Sequence, residues 1–220
     1  MVALYVHWPF CKAKCPYCDF NSHVVREIDE ERWARAFASE IDRVGALTPG
    51  RRLDTVFFGG GTPSLMSPEL VNGILERVRS TWTLAEDAEI TLEANPRSVE
   101  AGRFEAFAEA GVNRVSMGLQ ALNDRDLHRL GRLHSVAEAR KAYERYLADH
   151  PKGAHRVGVT IKLARMLSAE EADDEARVQA IGLYEALLLE APLSDYGEEA
   201  EKALPALRKA VGETRSAKDR

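Results

Sequence analysis

Residues 55–68 read Thr55-Val56-Phe57-Phe58-Gly59-Gly60-Gly61-Thr62-Pro63-Ser64-Leu65-Met66-Ser67-Pro68. The first four are β-prone and mostly apolar, the pattern of a buried strand, and the glycine run stops it. Ser67 can cap a helix with its side-chain oxygen, and Pro68 suits the first helical position. The helix behind them carries Leu70, Val71, Ile74, Leu75 and Val78. A buried strand, a glycine turn and a capped amphipathic helix make one βα unit.

The unit recurs on both sides. Ala3-Leu4-Tyr5-Val6-His7 is a short β-prone run ended by Pro9. Residues 29–47 place Trp33, Phe37, Ile41 and Val44 at helical spacing. Ile90-Thr91-Leu92 reads as a third strand. Ser98 caps a helix bearing Phe104, Phe107 and Ala108, and Gly111 stops it. Val112 to Leu119 contains a fourth strand, and a short helix follows near Asp124 to Leu130. Ser135 with Glu138 is a capping box for the next. Strands alternating with helices predict an α/β fold with a parallel sheet. Such sheets carry their functional loops at the carboxyl ends of the strands. The cysteines, the glycine run, Glu93 and Gln120 all fall at such ends.

Composition bounds the chemistry. The chain has 220 residues, 45% hydrophobic and 30% charged, as soluble globular proteins do. A net charge of -5 argues against a diffuse grip on nucleic acid, which needs a basic surface. No apolar run approaches the ~20 residues of a membrane helix. The start has no basic segment or small-residue cleavage site, and Pro9 and Phe10 are too bulky for a lipoprotein signal before Cys11. These features predict a cytoplasmic protein.

Two counts divide the chain. All three cysteines lie within the first 18 residues, and all seven Phe and three Trp precede residue 108. Residues 140–220 carry four Tyr as their only aromatics. There Tyr143-Glu144-Arg145-Tyr146-Leu147-Ala148-Asp149-His150-Pro151 resembles Tyr184-Glu185-Ala186-Leu187-Leu188-Leu189-Glu190-Ala191-Pro192, at an offset of 41. The tail reads as helical hairpins, similar to tetratricopeptide repeats, with Val157 to Ile161 a weak strand candidate. From about Gly212 the polar end is expected to fray. Two domains follow, 1–139 and 140–220.

Cys11, Cys15 and Cys18 form C-x3-C-x2-C. Three clustered thiols suit a soft metal rather than a disulfide framework. Zinc is one reading, with His7 or His23 as a fourth ligand. An iron–sulfur cube is the other, with one iron left open for a substrate or cofactor.

Tyr5-Val6-His7-Trp8-Pro9-Phe10-Cys11 through Cys15-Pro16-Tyr17-Cys18 resembles the cluster loop of radical S-adenosylmethionine (SAM) enzymes. The flanking residues resemble the oxygen-independent coproporphyrinogen III oxidase group and its heme-chaperone branch. The resemblance implies a 4Fe–4S cluster on Cys11, Cys15 and Cys18, with SAM chelating the open iron and cleaved reductively. It implies a partial TIM-type (β/α) barrel, a place in porphyrin biosynthesis, and a flavodoxin-type electron donor. The oxidases carry a further cysteine two places after the third ligand. Phe20 stands there, which resembles the heme-chaperone branch and makes heme a candidate ligand.

The resemblance extends to the SAM contacts. Gly60, Gly61 and Thr62 match the segment that binds the amino group. Glu93, in Leu92-Glu93-Ala94-Asn95-Pro96, matches an acid that accepts from a ribose hydroxyl. Gln120 and Arg132 match SAM-contacting positions, Arg132 through its planar fork on the carboxylate. Tyr5 and His7 match a pair near SAM, and Tyr17 is the aromatic before the last cysteine. No catalytic residue beyond the cluster is assigned, and His134 receives no chemistry.

The match covers residues 2–139. A fifth and sixth strand, a ribose-binding acid and a Gly-Leu-Pro-Gly-like segment have no counterpart. The chain therefore reads as a truncated barrel of about four parallel strands joined to an all-α segment. Such a sheet exposes a strand edge that invites self-association, as does the tail, and leaves the SAM pocket open on one side. The alternative is a non-catalytic helical-repeat interaction protein with a structural iron–sulfur or zinc site.

Overall fold

The computed structural model describes residues 2–96, 101–149, 151–153, 155–169 and 172–218. They form two compact units, Met1–Leu119 with Leu130–Arg132, and Gln120–Arg129 with Leu133–Arg220.

The first unit is a parallel four-stranded sheet with helices. Strand β1 (Ala3–Trp8) leads to a two-residue ribbon, β2 (Phe10–Cys11) with β3 (His23–Val24). Helix α1 (Glu30–Leu47), β4 (Arg52–Gly60), a 3-10 turn (Pro63–Leu65), α2 (Pro68–Thr81), β5 (Thr83–Ala94), α3 (Ala101–Ala110) and β6 (Arg114–Met117) follow. The sheet order is β1-β4-β5-β6, so neighbours in sequence are neighbours in the sheet. Among the described residues the strands do not close into a barrel. The four expected strands and their parallel pairing are all present.

Burial explains the assembly. Trp8, Val56, Phe58, Val71, Leu75, Val78 and Leu92 lose all solvent contact. Trp8 packs edge-on against Phe10 and Trp33, with ring centroids 5.1 and 5.8 Å away, and Phe37 completes the aromatic group. The helix starts are set locally: Asp29 accepts from Arg32 N at 2.9 Å, and Ser67 Oγ from Leu70 N at 3.1 Å. The Glu30 carboxylate in turn accepts from Ser67 N at 2.9 Å and from its hydroxyl. Gly111 ends α3 at φ +109, as its position suggested. Ser98 lies outside the described residues.

Three boundaries differ from expectation. The glycine run does not stop β4 at Phe58, because β1 extends the ladder through His7↔Gly59 and Trp8↔Gly60. Strand β5 begins at Thr83 rather than Ile90, and its ladder to β4 shifts register between Leu53 and Thr55. The β2–β3 ribbon was not expected, since two residues have no period to read.

The second unit contains α4 (Asp124–Arg129), α5 (Val136–Asp149), α6 (Arg156–Leu167), α7 (Asp174–Glu190) and α8 (Asp195–Lys218). From α5 onward each helix packs on the next. Tyr143 and Tyr184, the paired tyrosines of the repeat, are both buried, and Ala164, Ala180 and Ala200 let the helices approach closely. The Ser135–Glu138 capping box forms, with Ser135 N donating to Glu138 at 2.8 Å and Glu138 N to Ser135 Oγ at 3.2 Å. Val157 to Ile161 is not a strand but lies in α6. That helix buries Thr160, Ile161, Leu163, Ala164, Met166 and Leu167, so its apolar run carries no clean helical stripe. Helix α8 continues past Gly212 to Lys218 rather than ending there, through residues that are mostly good helix formers.

Candidate functional site

The carboxyl ends of the strands gather the chemistry of the first unit. Beyond β1 the chain enters the cysteine loop. Beyond β4 come Gly61 and Thr62, beyond β5 Asn95, and beyond β6 Gly118.

The glycine turn is pressed against the cysteine loop. Gly61 N donates to Trp8 O at 2.7 Å and Thr62 N to Phe10 O at 2.8 Å. Gly60 has φ +113, and a Cβ there would lie 2.6 Å from His7 Nδ1. A Cβ on Gly61 would clash with Phe10 O. The missing side chains are thus consumed by backbone approach within the protein. The backbone N–H groups of Gly60, Gly61 and Thr62 are all engaged, the first by Glu93 at 3.3 Å.

Glu93 is half-buried at the end of β5. Burial pushes its carboxyl above the ordinary range, and the Gly60 N–H pulls it partly back. Tyr5 stacks on Phe57 with centroids 5.9 Å apart and stays half-exposed. Burial and then the Glu93 charge raise the Tyr5 phenol. His7 Nε2 lies 3.0 Å from Asn21 O, which ties β1 to the far side of the loop.

The cysteines are free and half-buried. Cys18 N donates to Cys15 O at 3.0 Å, closing a turn. Thr62 Oγ1 donates to Cys11 Sγ at 3.6 Å, and Arg132 Nη1 to Cys15 Sγ at 3.6 Å, long contacts as sulfur makes them. Arg132 also donates to Gly118 O at 3.0 Å and to Asn95 Oδ1. Asn95 Nδ2 donates to Thr62 Oγ1 at 3.3 Å. Gly131, at φ +65, lets the chain pass Pro16, whose Cδ would lie 2.9 Å from a Cβ there. The Tyr17 phenol is raised, chiefly by burial, with Arg132 opposing and Cys15 adding.

The structure therefore brings Cys11, Cys15, Thr62 and Arg132 together, with Gly60 joined to Glu93. Among the described residues, no three His, Cys, Asp or Glu side chains converge on one point. Gln120 belongs to the second unit, in a left-handed conformation at φ +73, and His134 is buried there. Asn95 is the residue that sequence reasoning passed over. It sits inside the Leu-Glu-Ala-Asn-Pro motif, but only the fold shows that it meets Thr62 and Arg132.

Comparison with known proteins identifies relatives of the chain. The Radical SAM superfamily model matches residues 5–161, beyond the residue at which the motifs stop. The chain is 50% identical over 137 residues to the mitochondrial radical S-adenosyl methionine domain-containing protein 1 of Bos taurus, covering 62% of this chain and 31% of that protein. It is 46% identical over 142 residues to the heme chaperone HemW of Escherichia coli strain K12, covering 64% and 38%. The structure of the coproporphyrinogen III oxidase HemN of Escherichia coli, a radical SAM enzyme, superposes with a TM-score of 0.60 at 29% identity, covering 64% of this chain and 33% of that one. The chain thus spans about a third of the length of these relatives. A parallel sheet with its cysteine loop at the carboxyl edge, and a family match over most of the length, place this chain in the Radical SAM superfamily.

Proposed function

We propose that the chain holds a 4Fe–4S cluster on Cys11, Cys15 and Cys18 and binds SAM beside it. The donor chemistry fits: three unpaired thiols share one loop, and protein donors already point at two sulfurs. A reduced cluster of this kind supplies the single electron that cleaves the sulfonium of SAM. The protein's own residues orient and shield. Glu93 offers a half-buried carboxylate for a ribose hydroxyl, and Gly60 and Gly61 hold the loop close to the sheet edge. His7, Tyr17 and Arg132 meet the cysteine loop, Tyr5 lies beside Glu93, and Gln120 is added by resemblance alone. The observation that supports this reading best is the meeting of Thr62 and Arg132, from distant parts of the chain, on two cysteine sulfurs.

The test is anaerobic reconstitution with iron and sulfide. The expected product absorbs broadly near 400 nm, bleaches with dithionite and releases 5′-deoxyadenosine from SAM. A colourless protein that retains zinc would overturn the reading.

Phe20 in place of the further cysteine, together with the likeness to HemW, favours heme as ligand over porphyrinogen oxidation. A heme titration checks this, and affinity no better than a control protein's counts against it. Among the described residues the sheet has four strands, and with a pocket open on one side SAM is expected to bind weakly. The thiols require a reducing compartment, and we place the protein in the cytoplasm. Among the described residues no helix is long and apolar enough to cross a membrane.

A further inference from the structure

A chain of hydrogen bonds links two cysteine sulfurs through the sheet edge. It runs from Cys15 Sγ to Arg132 Nη1 (3.6 Å), from Arg132 Nη2 to Asn95 Oδ1, from Asn95 Nδ2 to Thr62 Oγ1 (3.3 Å), and from Thr62 Oγ1 to Cys11 Sγ (3.6 Å). The direction of each bond is dictated by chemistry. Arg132 can only donate. The Thr62 hydroxyl has one proton, and because it accepts from Asn95 its proton is left for sulfur. At the centre stands a group that must accept on one side and donate on the other. A short carboxamide does both, whereas aspartate lacks the donor and leucine lacks both. Asn95 reaches partners 33 and 37 residues away, so it ties the turn after β4 to the segment that carries Arg132.

We propose that Asn95 is a positioning residue for the cysteine loop: through Thr62 and Arg132 it aims one hydrogen bond at Cys11 and one at Cys15, and leaves Cys18 outside the relay. The proposal rests on the reading of these cysteines as cluster ligands. Its consequence is asymmetry. Two sulfurs of the three receive donors from the sheet edge, and donors to ligand sulfur are one of the levers that set a cluster's potential. Cutting the relay at its centre releases both sulfurs at once. Cutting it on one side of Asn95 releases one.

The deciding experiment uses the reduced, metal-free full-length chain. Alkylation by iodoacetamide is followed at each cysteine by mass spectrometry. Asn95→Ala is expected to slow reaction at Cys11 and Cys15 about five-fold, equivalent to ~1 kcal/mol, with Cys18 unchanged, because the thiolate is the reacting form and a donor to sulfur favours it. Asn95→Asp keeps an acceptor for Arg132 but has no N–H for Thr62, so only Cys11 should slow. Thr62→Val should reproduce that Cys11 effect if Asn95→Ala fails to fold. Equal acceleration at all three cysteines would mean general loosening of the loop and would overturn the proposal, as would no change at any of them. In the reconstituted protein, Asn95→Ala should shift the cluster midpoint to a more negative potential, and an unchanged potential counts against the relay. If the wild-type chain takes up no iron, the functional reading fails, while the alkylation pattern still judges the relay.

Discussion

Gly60 admits no other residue without strain. Its φ of +113 disfavours any L side chain, and a Cβ would fall 2.6 Å from His7 Nδ1 and 2.8 Å from Trp8 O. Gly60→Ala should therefore cost ~1–3 kcal/mol for the backbone conformation alone, more with the clash, seen as a lower urea midpoint. Glu93 gives a prediction with a sign. Its carboxyl is raised in the folded state, so its burial opposes ionisation. Its contribution is most favourable below the ordinary value of 4.5 and is lost as pH rises through the raised folded value. Glu93→Gln keeps an acceptor for Gly60 N and cannot ionise. The variant should gain stability relative to wild type as pH rises from 4 to 7, and parallel curves of unfolding midpoint against pH would contradict it. The cysteines, the glycines and Glu93 were legible in sequence because each stands in a short local motif. Asn95 was not, because an amide shows its role only when both of its distant partners are in place.

Elements whose signals are local were read correctly. Ser67-Pro68 announced α2, and the structure adds what no local signal holds, the Glu30 carboxylate on Ser67 N and Oγ. Ser67→Ala should cost ~1–2 kcal/mol, at the upper end for a cap, since the Glu30 carboxylate loses a partner as well. Glu30→Gln, which weakens that contact but spares the cap, should cost less by thermal melting. Elements that depend on tertiary pairing were missed or misjudged. The β2–β3 ribbon exists because Phe10 and His23 meet across the loop, and β4 runs into its glycines because β1 lies beside them. Helix α6 misled for the opposite reason: it is buried on several sides and loses its amphipathic stripe. The repeat tyrosines were the better guide in that segment. Leu187, fully buried one turn after Tyr184, should cost ~2–5 kcal/mol when changed to Ala.

At the scale of the molecule, the chain divides into two compact units, the first ending near Leu119 and taking in Leu130–Arg132. Trp8, Trp33 and Trp82 all belong to the first unit, and the long helices α5 to α8 to the second. Tryptophan fluorescence thus reports the sheet unit alone, while far-ultraviolet circular dichroism is weighted toward the helices. The two signals should give non-coincident unfolding transitions in urea. Coincident curves would show that the units unfold as one. The architecture of the first unit was open to inspection because its strands follow one another in space as in sequence. How the chain departs from its longer relatives was visible only as missing motifs.

The Cys15–Arg132 contact spans 117 residues, which gives it a meaning during biosynthesis. The cysteine loop is made before its arginine, which emerges 117 residues after Cys15. At ribosomal speeds of about 5–20 residues per second, that delay is roughly 6–23 s. Through that interval the nascent thiols stand without the guanidinium that later contacts one of them. A newly made chain therefore passes through a stage in which these sulfurs are more open to oxidation than in the finished fold.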